Sequence, residues 1–380
     1  MLKVYLIAGE PSGDLLGARL MRSLKKQMKD QVRFFGVGGE AMAAEGLDSL
    51  FDIKDLAVMG LVEVIPSIPK ILKHLDEIAA DIQKIEPDIV MTIDSYSFSI
   101  RVHKKLKHIG YQKPHVHCVA PQVWAWKKGR AKKIGQFVDH LFCLLPNEQQ
   151  YFEPHGMATT FIGHPVVEGG ADRGNGAAFR QKYHIPEKAT VLCLLPGSRK
   201  NELKYLWPVF RESAEQLKNY VPNLFVIIPT VRTVSDRLVA LLHGWRIPHL
   251  VVTGEKERYN AFAAADVALA ASGTVSLELA MAGVPHLIAY KVSPLTGAIA
   301  RRLLKIRFVN LLNILADEEI IPELLQENCT VDKVVETLRQ LLAHPEQATR
   351  ESLKKLGLGG DSPSDKLSKE LKKLARKRKK

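Results

Sequence analysis

The chain has 380 residues, 46% of them hydrophobic and 25% charged, with a formal net charge of +13. The length suffices for two domains of ordinary size, and the proportions are those of a soluble globular protein. No apolar run nears the roughly 20 residues of a membrane helix, and four scattered cysteines without a CxxC pair indicate neither a zinc site nor a disulfide framework.

The N-terminus opens directly on an apolar strand, Val4 to Ala8, with no basic leader before it, which leads us to expect a cytoplasmic protein. Gly9 to Asp14, GEPSGD, is a glycine-containing turn. Leu15 to Met28 has helical period, and Arg33 to Val37 reads as a second strand closed by Gly38-Gly39. The GVGG there lacks the spacing of a dinucleotide fingerprint. Between Leu56 and Leu75 the apolar residues Val58, Met59, Leu61, Val62, Ile65, Ile68 and Leu72 are interrupted by two prolines and flanked by lysines. Two prolines within four residues argue against a long regular helix. The segment reads either as core capping a sheet or as a patch that dips into a bilayer interface. Asp88 to Ile93 is a further strand ending in Asp94. In open α/β sheets functional groups gather at the carboxyl ends of strands, so Asp94 is a candidate general base, as is Glu10 after the first strand. The competing role for Asp94 is a helix cap. His115 to Val119, His140 to Leu145 and Phe161 to Val166 complete a first alternating set. Trp124 and Trp126 lie between them as packing anchors or as platforms for sugar or lipid. His164 is held extended by Pro165 and reads equally as a cleft or a structural residue.

Ala171 to Gly176 reads as a linker, after which strands and helices alternate again. Val191 to Leu195 is a buried strand running into Pro196-Gly197-Ser198-Arg199 and a helix. A small-residue turn with bare N–H groups, a cation and a helix N-terminus suits a phosphate, although an ordinary strand-to-helix turn has the same look. Downstream, Ser272-Gly273-Thr274 opens a helix carrying Glu278. Phosphate at these loops and ribose on Glu278 would make a nucleotide site. Phe308 to Asn313 is a candidate cleft loop. Nine basic residues between Lys366 and Lys380 against one acid, Glu370, read first as a solvated charge run and next as a membrane-surface contact. Nucleic acid is not expected as a partner, because no aromatic residue is interleaved for stacking.

Together GEPSGD, AVMG at Ala57–Gly60, Ile93-Asp94, PQVWAW at Pro121–Trp126, GHP at Gly163–Pro165, LLPGSR at Leu194–Arg199 and Ser272-Gly273-Thr274 with Glu278 resemble the lipid-A-disaccharide synthases. The likeness runs in matching order to about Leu342. It implies an α/β GT-B fold, two Rossmann-like domains with parallel sheets facing a cleft. The corresponding domains are 1–170 (acceptor and membrane side), 171–345 (UDP-sugar side), and 346–380 as a C-terminal helix and polybasic tail. It implies an inverting, metal-independent and cofactor-independent hexosyl transfer. The sugar would pass from UDP-2,3-diacylglucosamine to 2,3-diacylglucosamine 1-phosphate (lipid X) at the inner-membrane surface, with a homodimer compatible. By the same resemblance Asp94 is the base, with Glu10 as helper because Tyr96 and Ser97 stand where the family usually carries proline and a second aspartate. Arg199, Ser198, Ser272, Gly273, Thr274, Glu278 and Asn313 take the UDP end, and Val58 to Leu72 the membrane. The alternative within the same architecture is a UDP-N-acetylglucosamine 2-epimerase, which needs no apolar segment.

Overall fold

The computed structural model describes residues 1–56, 61–125, 129–293 and 307–377, with side chains for all of these but 30, 61–68 and 377. The chain forms two compact units, Met1–Pro165 with Gly359–Lys380, and Val166–Leu358.

The first unit carries six strands: β1 (Leu2–Ala8), β2 (Val32–Val37), β3 (Ile89–Ile93), β4 (His115–Cys118), β5 (His140–Cys143) and β6 (Ala158–Phe161). They pair in the order β2-β1-β3-β4-β5-β6, every pair parallel. Val4 to Ala8 and all of β3 are buried, the continuous apolar run of a parallel sheet covered on both faces. The chain moves from β1 to β2 on one side and then crosses to β3 on the other, so direction reverses between β1 and β3. Ala8 pairs with Ile93, which sends Gly9 and Asp94 out of the sheet side by side.

The second unit repeats the plan with β7 (Thr190–Leu195), β8 (Leu224–Thr230), β9 (His249–Thr253), β10 (Val267–Ala271), β11 (His286–Tyr290) and β12 (Glu323–Leu325). The order is β12-β11-β10-β7-β8-β9, again all parallel. Here the reversal lies between β7 and β10, where Leu195 pairs with Ala270. The helix after β7, α1 (Lys200–Leu217), turns Leu203, Leu206, Trp207, Phe210, Ala214 and Leu217 onto the sheet at helical spacing.

Several sequence expectations are corrected. A single helix, α2 (Leu61–Ile85), runs through both Pro66 and Pro69. Both lie in its first three turns, and the rest is held by Ile71, Leu75, Ile78 and Ile82, which are buried on the first sheet. The strand expected from Phe161 ends there instead. The expected linker is packed: a Cβ on Gly174 would fall 2.1 Å from the Tyr259 carbonyl oxygen. Residues 346–380 are not one terminal segment. Helix α3 (Thr349–Lys355) belongs to the second unit, whereas α4 (Pro363–Lys377) belongs to the first. There α4 seats Leu367, Leu371 and Ala375 in the core formed with Leu16, Leu20 and Leu24 of α5 (Pro11–Met28). Ser23 donates to Asp365 at 2.5 Å and shares a 2.9 Å hydrogen bond with Ser368. The charge run therefore decorates a helix whose i, i+4 apolar stripe is core. Among the described residues no helix is long and apolar enough to cross a membrane.

Candidate active site

In open parallel sheets the crevice for a ligand forms beyond the carboxyl ends of the strands where the strand order reverses. Both groups of residues singled out in the sequence stand at such points.

In the first unit, Glu10 follows β1 and Asp94 follows β3. Asp94 Oδ1 accepts from the Ser95 backbone N–H at 2.8 Å, and Oδ2 accepts from the Ser12 hydroxyl at 3.1 Å. The Ser95 hydroxyl donates to Glu10 Oε1 at 3.1 Å, so one serine joins the two acids. Asp94 and Ser95 both have left-handed backbone, φ 58° and 43°, which non-glycine residues adopt at a cost. The Ser99 hydroxyl holds the strained turn by donating to the Asp94 carbonyl at 2.7 Å. Gly9 is required for the approach: a Cβ there would sit 2.5 Å from both Cβ and Oγ of Ser95. Asp14, in the same GEPSGD turn, is structural. Its buried carboxylate accepts from the backbone N–H groups of Gly39, Ala41 and Met42.

In the second unit, the turn after β7 and the turn after β10 adjoin. The sequence allows bare backbone N–H groups in the turn after β7, and there those of Ser198 and Arg199 are occupied. Both donate to Glu202 Oε2, at 2.9 and 3.2 Å, and Arg199 Nη1 donates to Oε1 at 3.2 Å. Glu202, the third residue of α1, thereby caps the first turn through its carboxylate, a contact between residues three and four apart in sequence. The Arg199 side chain remains 61% exposed, leaving guanidinium donors outward. Gly197, at φ 108°, passes close over Glu202. Ser272 is half-buried, and Gly273 and Thr274 are exposed at the start of α6 (Thr274–Met281). Glu278 Oε1, one turn along, accepts from Arg258 Nη2 at 2.9 Å and from the Tyr259 hydroxyl at 3.3 Å. Arg258 has no counterpart in the sequence reading; its helix, α7 (Glu255–Ala264), carries no motif that marks it.

Asn313 is corrected. It is fully buried in α8 (Leu311–Ala316), where its amide donates to Ile321 O and Glu323 Oε1 and its oxygen accepts from Ile320 N and Ile321 N. All its hydrogen-bonding capacity is spent on the fold. The expected cleft loop 308–313 is likewise mostly core, with Phe308, Asn310 and Leu312 buried. Of the membrane candidates, Val58 and Met59 lie outside the described residues. Leu61, Val62, Ile65 and Ile68 lie on α2 with their side chains outside the description, and Leu72 is 55% exposed.

Two parallel six-stranded sheets with flanking helices, each with a reversal of strand order beside its first strand, define a GT-B fold, and solved structures agree. The UDP-N-acetylglucosamine 2-epimerase of Neisseria meningitidis, bound to UDP-N-acetylglucosamine, superposes with a TM-score of 0.63 at 13% identity, covering 99% of this chain and 100% of that one. At that identity the likeness speaks for fold alone. Sequence decides the family. The lipid-A-disaccharide synthetase profile matches residues 4–370. The lipid-A-disaccharide synthase of Paramagnetospirillum magneticum is 50% identical over 95% of this chain and 94% of its own, and that of Rhodospirillum centenum is 47% identical over 90% and 86%. The chain belongs to the lipid-A-disaccharide synthetase family of glycosyltransferases.

Proposed function

We propose that the chain transfers 2,3-diacylglucosamine from UDP to the 6-hydroxyl of 2,3-diacylglucosamine 1-phosphate, giving the β-1,6-linked disaccharide 1-phosphate and UDP. The observation that carries this is the chemistry at the two sheet reversals: two acids joined by a serine, one of them on a strained turn, in one unit, and a guanidinium, a helix N-terminus and a carboxylate in the other. Asp94 takes the proton of the acceptor hydroxyl as that oxygen bonds to the anomeric carbon of the donor. The bond from that carbon to the diphosphate oxygen breaks on the opposite face, so the configuration inverts. The electron pair leaves with UDP, whose growing charge is balanced by Arg199 and the amino end of α6. Glu10 holds Ser95, and through it the turn that aims Asp94. Glu278, braced by Arg258 and Tyr259, accepts from the ribose hydroxyls. The exposed Leu72 and the apolar stretch before it supply contact with the inner-membrane surface from which both acylated sugars come.

Incubation with both acylated sugars, following disaccharide and UDP together, tests the reading. Equal formation of both supports it. UDP release without disaccharide, or turnover of soluble UDP-N-acetylglucosamine alone as the epimerase reading requires, would overturn it.

A further inference from the structure

The carboxyl edge of the first sheet carries a third acid that the proposed reaction does not use. Glu148 lies five residues beyond β5 and is 4% exposed. Its Oε2 accepts from the backbone N–H groups of Leu144 and Leu145, both at 3.1 Å. The buried indole N–H of Trp124 faces the same carboxyl without closing a hydrogen bond of ordinary geometry. Trp124 ends the segment that leaves β4 through Val119, whose φ of 78° is an outlier for a β-branched residue. That segment is tied to its neighbours on both sides. Val119 N–H donates to Phe142 O of β5, and Cys118 O accepts from Asp94 N–H at 2.9 Å. The strained 119–124 loop thus stands next to Asp94 on one side and is faced by Glu148 on the other.

We propose that Glu148 is a positioning residue for the acceptor. Its carboxylate pins the turn after β5 and, through Trp124, sets where the 119–124 loop stands beside Asp94. This rests on the acceptor reading of the first unit. Among the described residues, the groups turned toward the Glu148 oxygens (the Leu144 and Leu145 N–H and the Trp124 indole) are donors, so the ionised carboxylate is the form that satisfies them. Burial pushes its pKa up to about 7, against the pull of the Leu145, Leu144 and Trp124 donors. The other titratable groups that bear on this corner are the thiols of Cys118 and Cys143, both raised by burial and by the Glu148 charge. Asp94 also raises Cys118, and Glu153 also raises Cys143. As pH falls through about 7 the carboxyl gains a proton, one oxygen becomes a donor, and the loop loses its hold.

Glu148→Gln keeps the shape and an oxygen for Leu144 and Leu145 but turns an NH2 toward the indole N–H. We expect the acceptor KM to rise about tenfold, the cost of turning a donor toward a donor in a buried corner, with kcat within about threefold and donor KM unchanged. The limb near pH 7 in kcat/KM for the acceptor should vanish. Trp124→Phe should shift the acceptor KM the same way, and the double variant should be no worse than Glu148→Gln, because the two act through one contact. An unchanged acceptor KM and pH limb, additive effects, or donor and acceptor KM rising together with a lower Tm would overturn the proposal. Failure of the wild-type enzyme to make disaccharide would bring down the acceptor reading, and this inference with it.

Discussion

The two units share one plan, six parallel strands with a reversal beside the first strand, yet they equip their carboxyl edges differently. In the first unit the left-handed positions just beyond the strands are Asp94, Ser95 and Val119, residues with side chains, with Gly163 after β6 the exception. In the second they include Gly197, Gly254 and Gly273, with Gln326 beside β12 the exception. Glycine reaches such φ without steric cost and lets backbone come close to a ligand. A carboxylate held there pays strain so that one side chain points in one direction. The first edge is built to aim a side chain, and the second to turn tightly on glycine beside an outward-facing cation. The same architecture can therefore divide a reaction into an end that moves a proton and an end that holds a leaving group.

The sharpest way to break that division is to remove its two charges separately. Asp94→Asn should lower kcat about a thousandfold while UDP affinity, read by calorimetry, stays unchanged; near-normal turnover would remove Asp94 as the base. Arg199→Ala should cut kcat/KM for the donor about a hundredfold, with acceptor KM unmoved. If both substrates suffer equally, the two ends are not separable. Gly9→Ala probes the strain. Its Cβ would fall 2.5 Å from Ser95, so the serine bridge to Glu10 must shift, at about 1–3 kcal/mol of stability and with a fall in kcat larger than any change in UDP affinity. Wild-type kinetics in that variant would show that the bridge is dispensable. The smallest effect on activity belongs to Asn313→Ala. It should lower stability in urea by about 2–3 kcal/mol, because the backbone groups it serves are left buried without partners, while UDP affinity stays the same. A loss of UDP binding at full stability would restore Asn313 to the site.

Much of this was readable in the residues. Apolar runs bounded by turn residues marked most of the strands, because a strand buried on both faces must be apolar throughout. Glu10 and Asp94 could be chosen as candidate bases because each directly follows such a run. What misled was local grammar overridden by contacts far away in sequence. Two prolines argued against α2, but Ile71, Leu75, Ile78 and Ile82 find the first sheet and hold it. Nine cations argued for a solvated tail, but the stripe Leu367, Leu371 and Ala375 finds α5. Asn313 carried a family role on its motif, and its saturation by Ile320, Ile321 and Glu323 is visible only once β12 folds beside α8.

The sequence by itself therefore determined the repeated strand-helix alternation, the family, and the short turns that hold Asp94, Arg199 and Glu278, since these depend on neighbours a few residues apart. Tertiary structure alone decided that β1 lies beside β3 and β7 beside β10, which brings Glu10 to Ser95 and the Arg199 turn to the Ser272 turn. It also decided that Arg258 braces Glu278 and that Glu148 is buried against Trp124. Strand order and hydrogen-bond partners are set by which distant surfaces exclude water together, and no local pattern of residue types records that choice.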